Sequence, residues 1–389
     1  MYISSLAISG YRSLKNVEIK EMLPVVIFHG LNNSGKSNIL SAIETIFRRK
    51  VVVEETTTAD ETKKLQRTGN FYQGRITDFR DNFYLNGRQD IIFSVSVTLT
   101  DSETAPFNEI LKLLNPALTK TGGKKIVLFD GRMKYRDENS AEMILDRVMF
   151  KSSDVVFEVE KSGKKTFFPT VKGLTEEVRV AQFEKLMELF SDSFALLQAD
   201  RYLTMEKEGQ DSGAKIMLTP KTFKQWLHKL SLDRSTYESF EEIKKMIASK
   251  PFEFGDIGFS KEGDEIEIMV KTGNVRLPIC RLGSGHQQIL YIIGSLVLYK
   301  KRMVGIEELE INLSPTAQKN VFEKLKHHIF TSADLINQLI ITSHSDTFGN
   351  RGDVRVYGVE HNGQETLVHR WTQADNKKHF GPTGGWDWD

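Results

Sequence analysis

"GLNNSGKSN", residues 30–38, lies between an apolar run and a helical pattern, and its reading decides the fold. Either it is a glycine-rich turn that only redirects the chain, or it is a loop whose backbone N–H groups cradle phosphate. The flanking sequence chooses between them. Upstream, "LPVVIFHG" (Leu23 to Gly30) is a short apolar run with the β-branched character of a buried strand. Downstream, "NILSAIETIFRR" (Asn38 to Arg49) sets Ile39, Leu40, Ile43, Ile46 and Phe47 at helical spacing. Strand, loop and helix in that order is the context a phosphate loop requires. Gly30, Gly35, Lys36 and Ser37 fit GxxxxGK[ST]. The candidate nucleotide-binding set is therefore Gly30, Asn32, Asn33, Ser34, Gly35, Lys36, Ser37 and Asn38. Small residues let N–H groups wrap the phosphates at a helix N-terminus, Lys36 supplies a point charge, and the Ser37 hydroxyl reaches Mg²⁺.

The bulk numbers bound what such a loop serves. With 389 residues, 39% of them hydrophobic, the chain can bury a full core and exceeds the usual domain length of about 100 to 200 residues. Lysine and arginine (53) nearly cancel aspartate and glutamate (52), so no global field draws it to nucleic acid or membrane, and any DNA contact has to be a local patch. The single cysteine, Cys280, makes no internal disulfide and no cysteine zinc site. "MYISSLAISGYRSLKNVEIK" alternates like a strand, unlike a signal peptide, and no stretch reaches the roughly 18 apolar residues of a membrane helix. These features together lead to the expectation of a cytoplasmic protein.

A phosphate cradle alone says only "nucleotide", and the C-terminal third carries three more pieces. A short apolar strand, Met303 to Ile306, ends in the paired carboxylates Glu307 and Glu308. Acids delivered by a strand beside a phosphate cradle can serve a metal shell and polarise an attacking water, although a solvated acidic loop has the same composition. A second apolar strand, Leu339 to Thr342, ends at Ser343 and His344, a histidine that is either structural or in reach of the γ-phosphate. Between cradle and acids, "RLGSGHQQ" (Arg281 to Gln288) is a glycine-rich loop opening a helix at Ile289. That second set of N–H groups at a helix start is a second phosphate reader. One nucleotide rarely needs two, so the economical reading is that it serves the nucleotide held by another copy of the chain.

The order of phosphate loop, Gly/Ser signature, acidic strand and histidine resembles the ABC-type ATPases. More narrowly, "GYRSL" (Gly10 to Leu14), "GLNNSGKSN", "LGSGHQQ", "EELEINLSP" and "ITSHS" resemble the ATPase part of the overcoming-lysogenisation-defect (OLD) family and its stand-alone relatives. The resemblance covers roughly the first hundred and last hundred-odd residues. It implies an α/β fold, an ABC-type P-loop ATPase head of mixed sheet flanked by helices, with an inserted α+β subdomain. It implies ATP and Mg²⁺ as cofactors, held by Lys36 and Ser37 with Glu307 supporting the metal. Glu308 would be the base, Ser284 and Gly285 would contact the partner copy's γ-phosphate, and His344 would be the switch residue. Gln73, in "FYQGRITDF", is the candidate for the glutamine that such heads place near the metal, and Arg201, in "FALLQADRYL", for an arginine near nucleotide or dimer face; a surface ion pair is the alternative for Arg201. The chain departs from the family pattern at Glu307, where aspartate is usual, at Leu309, where proline is usual, and in the order Leu-Gly-Ser-Gly-His of its signature.

The middle of the chain reads separately. "IIFSVSVTLT" (Ile91 to Thr100) is an alternating strand. "KKIVLFDGRMKYRD" and "VVFEVEKSGKKTFF" read as hairpins, the first turning at Asp130-Gly131. Helical patterns cover Glu176 to Phe190, Pro220 to Leu230 and Tyr237 to Ser249, and two further hairpins follow at "EIEIMVKTGNVRLPI" and "VRVYGVEHNGQETLVHRW". No heptads are sustained, so a long coiled-coil arm is not expected. The division is 1–105 first lobe, 106–265 insert for dimerisation or partner binding, 266–375 second lobe and 376–389 flexible tail, with Trp386 and Trp388 in the tail. Basic stretches at Gly122 to Lys125, Gly131 to Arg136 and Tyr299 to Met303 either grip DNA backbones or form a solvated face. Full OLD proteins continue into a TOPRIM nuclease, for which about 45 residues after His344 leave no room. The resemblance therefore points to a homo-oligomer of at least two heads that senses or gates a separately encoded nuclease or toxin in antiphage defence, with DNA possible as a partner and no membrane. The alternatives are a DNA-repair ATPase that clamps DNA and a non-hydrolysing ATP-bound scaffold.

Overall fold

The computed structural model describes residues 1–47, 73–77, 83, 89–114, 125–137, 140–152, 155–160, 189–190, 193–201, 203, 220–263, 265–331, 336–348 and 353–381. The chain divides into two compact units, Met1–Leu196 with Asn350–Asp389, and Leu197–Gly349.

In the first unit β1 (Tyr2–Tyr11) folds back on β2 (Leu14–Ile19), and β3 (Val25–His29) and α1 (Lys36–Phe47) follow. β3 is buried along its whole length, as befits a strand paired in parallel and covered on both faces. Helix α1 turns Ile39, Leu40, Ile43, Ile46 and Phe47 inward, the set its spacing predicts. β4 (Gln73–Thr77) pairs with β7, and β5 (Ile91–Thr98) pairs with β1. In β5 the alternation is realised: Ile91, Phe93, Val95 and Val97 are buried, whereas Ile92 points outward, 60% exposed. After α2 (Asp101–Leu114), β6 (Ile126–Asp137), β7 (Ser140–Ser152) and β8 (Val155–Glu160) extend the same antiparallel sheet. The insert expected from residue 106 thus begins inside a sheet that the first lobe started.

The turn expected at Asp130-Gly131 is not made. β6 runs straight through it, with a register shift between the two residues, and continues to Asp137, which pairs with Ser140 of β7. The extra residue is absorbed as a bulge, and Asp130 accepts from Arg147 Nε at 2.6 Å, an ion pair that a turn would have denied it. β9 (Phe194–Leu197) spans the boundary between units.

The second unit opens with α3 (Pro220–Leu232) and α4 (Tyr237–Ala248), close to the spans their spacing predicts. β10 (Ile257–Glu262), β11 (Glu265–Thr272) and β12 (Val275–Pro278) form a three-stranded antiparallel sheet, β11 and β12 turning at Gly273 with φ 62°. α5 (Ser284–Leu298) is mostly apolar and buried nearly all round. It packs on α3 where Gly294 leaves room for Phe223. β13 (Arg302–Ile306) and β14 (Ile336–Ser343) are parallel neighbours, with α6 (Pro315–Thr331) between them in sequence, the βαβ order of a parallel sheet.

The first unit closes with β15 (Val354–His361), parallel to β3, and β16 (Thr366–Arg370), joined by the expected Asn-Gly hairpin with Gly363 at φ 92°. Residues 376–380, expected in a flexible tail, belong instead to α7 (Gln373–Phe380). The reason is a capping box: Thr372 Oγ1 accepts from the Asp375 N–H while the Asp375 carboxylate accepts from the Thr372 N–H. Trp386, Trp388 and most of the helix expected at Glu176 to Phe190 lie outside the described residues. No helix among the described residues is long and apolar enough to cross a membrane.

Candidate functional site

The phosphate loop is built within the first unit. β3 delivers Gly30 against β15 so closely that any Cβ there would run into the carbonyl of Val359. Gly35, at φ 101°, has no room for a Cβ because Thr366 occupies that space, so both motif glycines are required sterically. Asn33 also takes a left-handed conformation, φ 62°. α1 begins at Lys36, directly after the loop, so its first N–H groups face the loop's concave side. Lys36 is buried and donates to the carbonyls of Gly30 (2.8 Å) and Leu31 (2.7 Å). Those two carbonyls hold the ammonium at the mouth of the loop. Ser37 is exposed on the first turn of α1, with its hydroxyl open to a metal.

A hydrogen-bonded relay beneath the loop had no signal in the phosphate motif. Asn38 Nδ2 donates to Ser13 Oγ (2.7 Å), Ser13 Oγ lies 2.7 Å from Thr366 Oγ1, and Thr366 Oγ1 donates to the Ser34 carbonyl (3.1 Å). Arg12, at φ 48° in the β1–β2 turn, donates to Asn38 Oδ1 at 3.3 Å. The "GYRSL" stretch is thus fastened to α1, and the hairpin strand β16 is fastened to the loop. Gln73 opens β4 and pairs in register with Ile144 of β7.

The acids, signature and histidine lie in the second unit. β13 ends at Ile306, and Glu307 and Glu308 follow, both half-buried. Glu307 donates its N–H to the Leu197 carbonyl at 2.9 Å; Glu308 donates its N–H to Thr342 Oγ1 at 3.1 Å. Glu308 takes φ 45°, a left-handed conformation that a non-glycine residue keeps only where its surroundings enforce it. Leu309, in place of the usual proline, is fully buried and anchors the loop by packing.

The signature lies on the helix itself. α5 begins at Ser284, five residues earlier than expected at Ile289, because Gly283 serves as N-cap and Ser284, Gly285 and His286 form the first turn. A Cβ on Gly285 would sit 3.0 Å from the Asn312 carbonyl, so the signature packs against the loop that follows the acids. His344 Nδ1 lies 2.9 Å from Glu310 Oε1, which also accepts the His344 backbone N–H at 2.6 Å. Glu310 is buried, and the third acid of "EELE" therefore orients the histidine, a role that the sequence does not reveal. Gln318 on α6 holds the next residue, accepting from Ser345 Oγ at 2.7 Å.

Arg201 is not in a surface ion pair. It is fully buried and donates to three carbonyls: Gln198 (2.9 Å), Glu307 (2.6 Å) and Glu308 (2.8 Å). Burial pushes its guanidinium down from the usual arginine range to about 10, with Tyr291 and the acids Glu310, Glu307 and Glu308 opposing that shift.

In the first unit the donor set fits a nucleoside triphosphate and a divalent cation. Two glycines with no space for a side chain, a buried lysine at the loop mouth and an exposed serine on the first helical turn form the phosphate part. In the second unit, Arg201 holds the carbonyls of Glu307 and Glu308, which fixes the main chain that carries this carboxylate pair.

Residues 1–348 match the family model described as AAA ATPase domain. No curated protein matches the chain significantly. Among solved structures, the chain is similar to an SMC head bound to the C-terminal winged-helix domain of ScpA (13% identity over 96% of this chain and 99% of that one, TM-score 0.49). It is similar also to the SMC head domain from Thermotoga maritima (13% identity, 96% and 100% covered, TM-score 0.43). A third likeness is an SMC head with an extended coiled coil, bound to the C-terminal domain of ScpA from Pyrococcus furiosus (12% identity, 97% and 98% covered, TM-score 0.45).

Proposed function

The chain belongs to the AAA ATPase domain family, and we propose that this ATPase is an ABC-type, OLD-like head that pairs with a second copy around ATP and gates a separately encoded effector, a nuclease or toxin, in antiphage defence. ATP use follows from the family; the pairing, the effector and the site roles are our reading. In it, Lys36 draws the phosphates and the loop N–H groups hold them, while Ser37 and Glu307 hold Mg²⁺ and Gln73 senses it. Bound there, the cation supplies charge neutralisation at the phosphates. Glu308 takes a proton from the attacking water, and His344, oriented by Glu310, holds that water or the γ-phosphate. Ser284 and Gly285 read the nucleotide of the partner copy.

The observation that carries the reading is that α5 starts at Ser284, which sets the signature at a helix N-terminus in addition to the one at α1. Two phosphate readers on one chain suit a pair of chains that exchange them. The basic stretches offer less support for DNA binding: Arg132 pairs with Asp146 at 2.7 Å, Lys300 with Glu242 at 2.5 Å, and Lys125 is buried against Asn108. The charges of Arg132 and Lys300 are thus met within the chain.

The test uses Glu308→Gln, tagged and purified from the native host with ATP and Mg²⁺. Turnover should fall about a thousandfold, the mass by light scattering should double with ATP, and a nuclease-like protein should accompany it at fixed stoichiometry. Unchanged turnover removes Glu308 as base, and a doubled head with no effector bound or released removes the gating role.

A further inference from the structure

Arg201 is the bulkiest of the fully buried side chains among the described residues, and burying a guanidinium is costly unless its donors are met. Its hydrogen bonds go to main-chain carbonyls rather than carboxylates: Gln198, Glu307 and Glu308. Two successive carbonyls of the acid loop are thus gripped by the two terminal nitrogens of one planar fork. That grip helps to enforce φ 45° at Glu308, along with the Thr342 hydroxyl and the bond from the Ile311 N–H to the Glu308 carbonyl (3.1 Å). Fixing the main chain of Glu308 fixes where its carboxylate can reach.

The same arginine touches the signature helix. Gln288 of α5 accepts from Arg201 Nη2 at 3.4 Å, and the preceding Gln287 accepts from the Leu203 N–H at 3.3 Å. Both glutamines are buried, one turn after Ser284 and Gly285. Among the described residues, the Nε–H of Arg201 and the amide nitrogen of Gln288 have no hydrogen-bond partner. Two buried donors therefore lie unmet at the joint between helix and clamp, a costly arrangement.

We propose that Arg201 is a positioning residue: through Gln288 it transmits the placement of the helix bearing Ser284 and Gly285 to the main chain of Glu307 and Glu308, so that Glu308 is aimed when that helix engages. This inference rests on the assignment of Glu308 as the base. Lysine cannot replace the fork, because a single ammonium cannot span two successive carbonyls and the glutamine together.

Arg201→Lys and Gln288→Leu are made in the full chain, each alone and with Glu308→Gln. The affinity for a fluorescent ATP analogue, single-turnover hydrolysis of labelled ATP and thermal melting are measured. Arg201→Lys should bind ATP within about threefold of wild type and hydrolyse about a hundredfold more slowly, the scale expected when a reacting group is misplaced by about an ångström. Combined with Glu308→Gln it should lose nothing further, because both changes act on one group. Gln288→Leu should slow hydrolysis about tenfold with affinity unchanged. Wild-type hydrolysis in Arg201→Lys, losses that multiply with Glu308→Gln, or lost ATP affinity in a folded Arg201→Lys would overturn the proposal. Should Arg201→Lys fail to fold, Gln288→Leu decides it: full hydrolysis there means the helix does not act through the clamp. Normal hydrolysis by Glu308→Gln alone would instead remove the base assignment, and this inference with it.

Discussion

Thr366→Val tests whether the relay beneath the phosphate loop shapes it. Thr366 is 1% exposed, and its hydroxyl is the link between Ser13 and the Ser34 carbonyl. Because Asn38 donates to Ser13 and Thr366 donates to Ser34, the donors run one way, Asn38 to Ser13 to Thr366 to Ser34. Valine keeps the shape but replaces the hydroxyl by a methyl. The Ser13 hydroxyl can turn elsewhere, whereas the Ser34 carbonyl faces a methyl group, at a cost of about 1–3 kcal/mol. That cost falls on the loop's present shape, so the free loop relaxes, and phosphate has to restore it. Apparent affinity drops with the competent fraction, and about 1–3 kcal/mol corresponds to about five- to 150-fold in Kd. Calorimetric titration with a non-hydrolysable ATP analogue measures it. Thr366→Ser, which keeps the hydroxyl, should restore most of the affinity. If Thr366→Val melts earlier yet binds as wild type does, the relay stabilises the fold without shaping the cradle.

Two further outcomes concern the frame of the second unit. Gly294→Ala places a Cβ 2.6 Å from Phe223 at the α3–α5 contact and should cost about 1–3 kcal/mol in urea unfolding; an unchanged midpoint would mean that Phe223 gives way freely. Lys224 and Glu267 form a buried pair at 2.8 Å, so Lys224→Ala should destabilise by about 3–5 kcal/mol, and the double variant Lys224→Met, Glu267→Leu far less. Equal losses in the two would show that volume, not the orphaned carboxylate, sets the cost.

What was legible in the sequence had a local cause. The strand before Gly30 and the helix after Gly35 follow from unbroken apolar runs and from 3.6-residue spacing, and the Asn-Gly and Thr-Gly-Asn turns carried their hairpins. The misreadings share a different cause. Asp130-Gly131 has turn chemistry, yet β6 continues through it, because flanking apolar residues on both sides find strand partners and a bulge absorbs the mismatch. The sequence sets the start of α5 late because Ser284, Gly285 and His286 are weak helix formers. Gly283 as N-cap and ten buried residues behind it outweigh that preference. The capping box at Thr372 and Asp375 was visible in the sequence and should have extended the ordered chain to Phe380. Thr366 and Glu310 carried no such signal, since their partners lie 332 and 34 residues away.

The substitution of Leu309 for the usual proline shows why a departure from a motif cannot be weighed by itself. Proline restrains a loop by fixing φ within one residue. Here the restraint is distributed. The Leu309 side chain is sunk in the core, Arg201 grips the carbonyls of Glu307 and Glu308, and Thr342 and Leu197 take the two N–H groups. Four hydrogen bonds from residues up to 110 positions distant (307 minus 197), with the packing of Leu309, thus do what one ring does locally. The consequence is mechanical. A proline loop is stiff whatever surrounds it, whereas this loop is stiff only while Arg201 stays seated, and the seat of Arg201 includes a glutamine of the signature helix. Leucine in place of proline therefore need not leave a looser acid pair; it leaves one whose rigidity depends on α5, which is the condition that the proposed role of Arg201 requires.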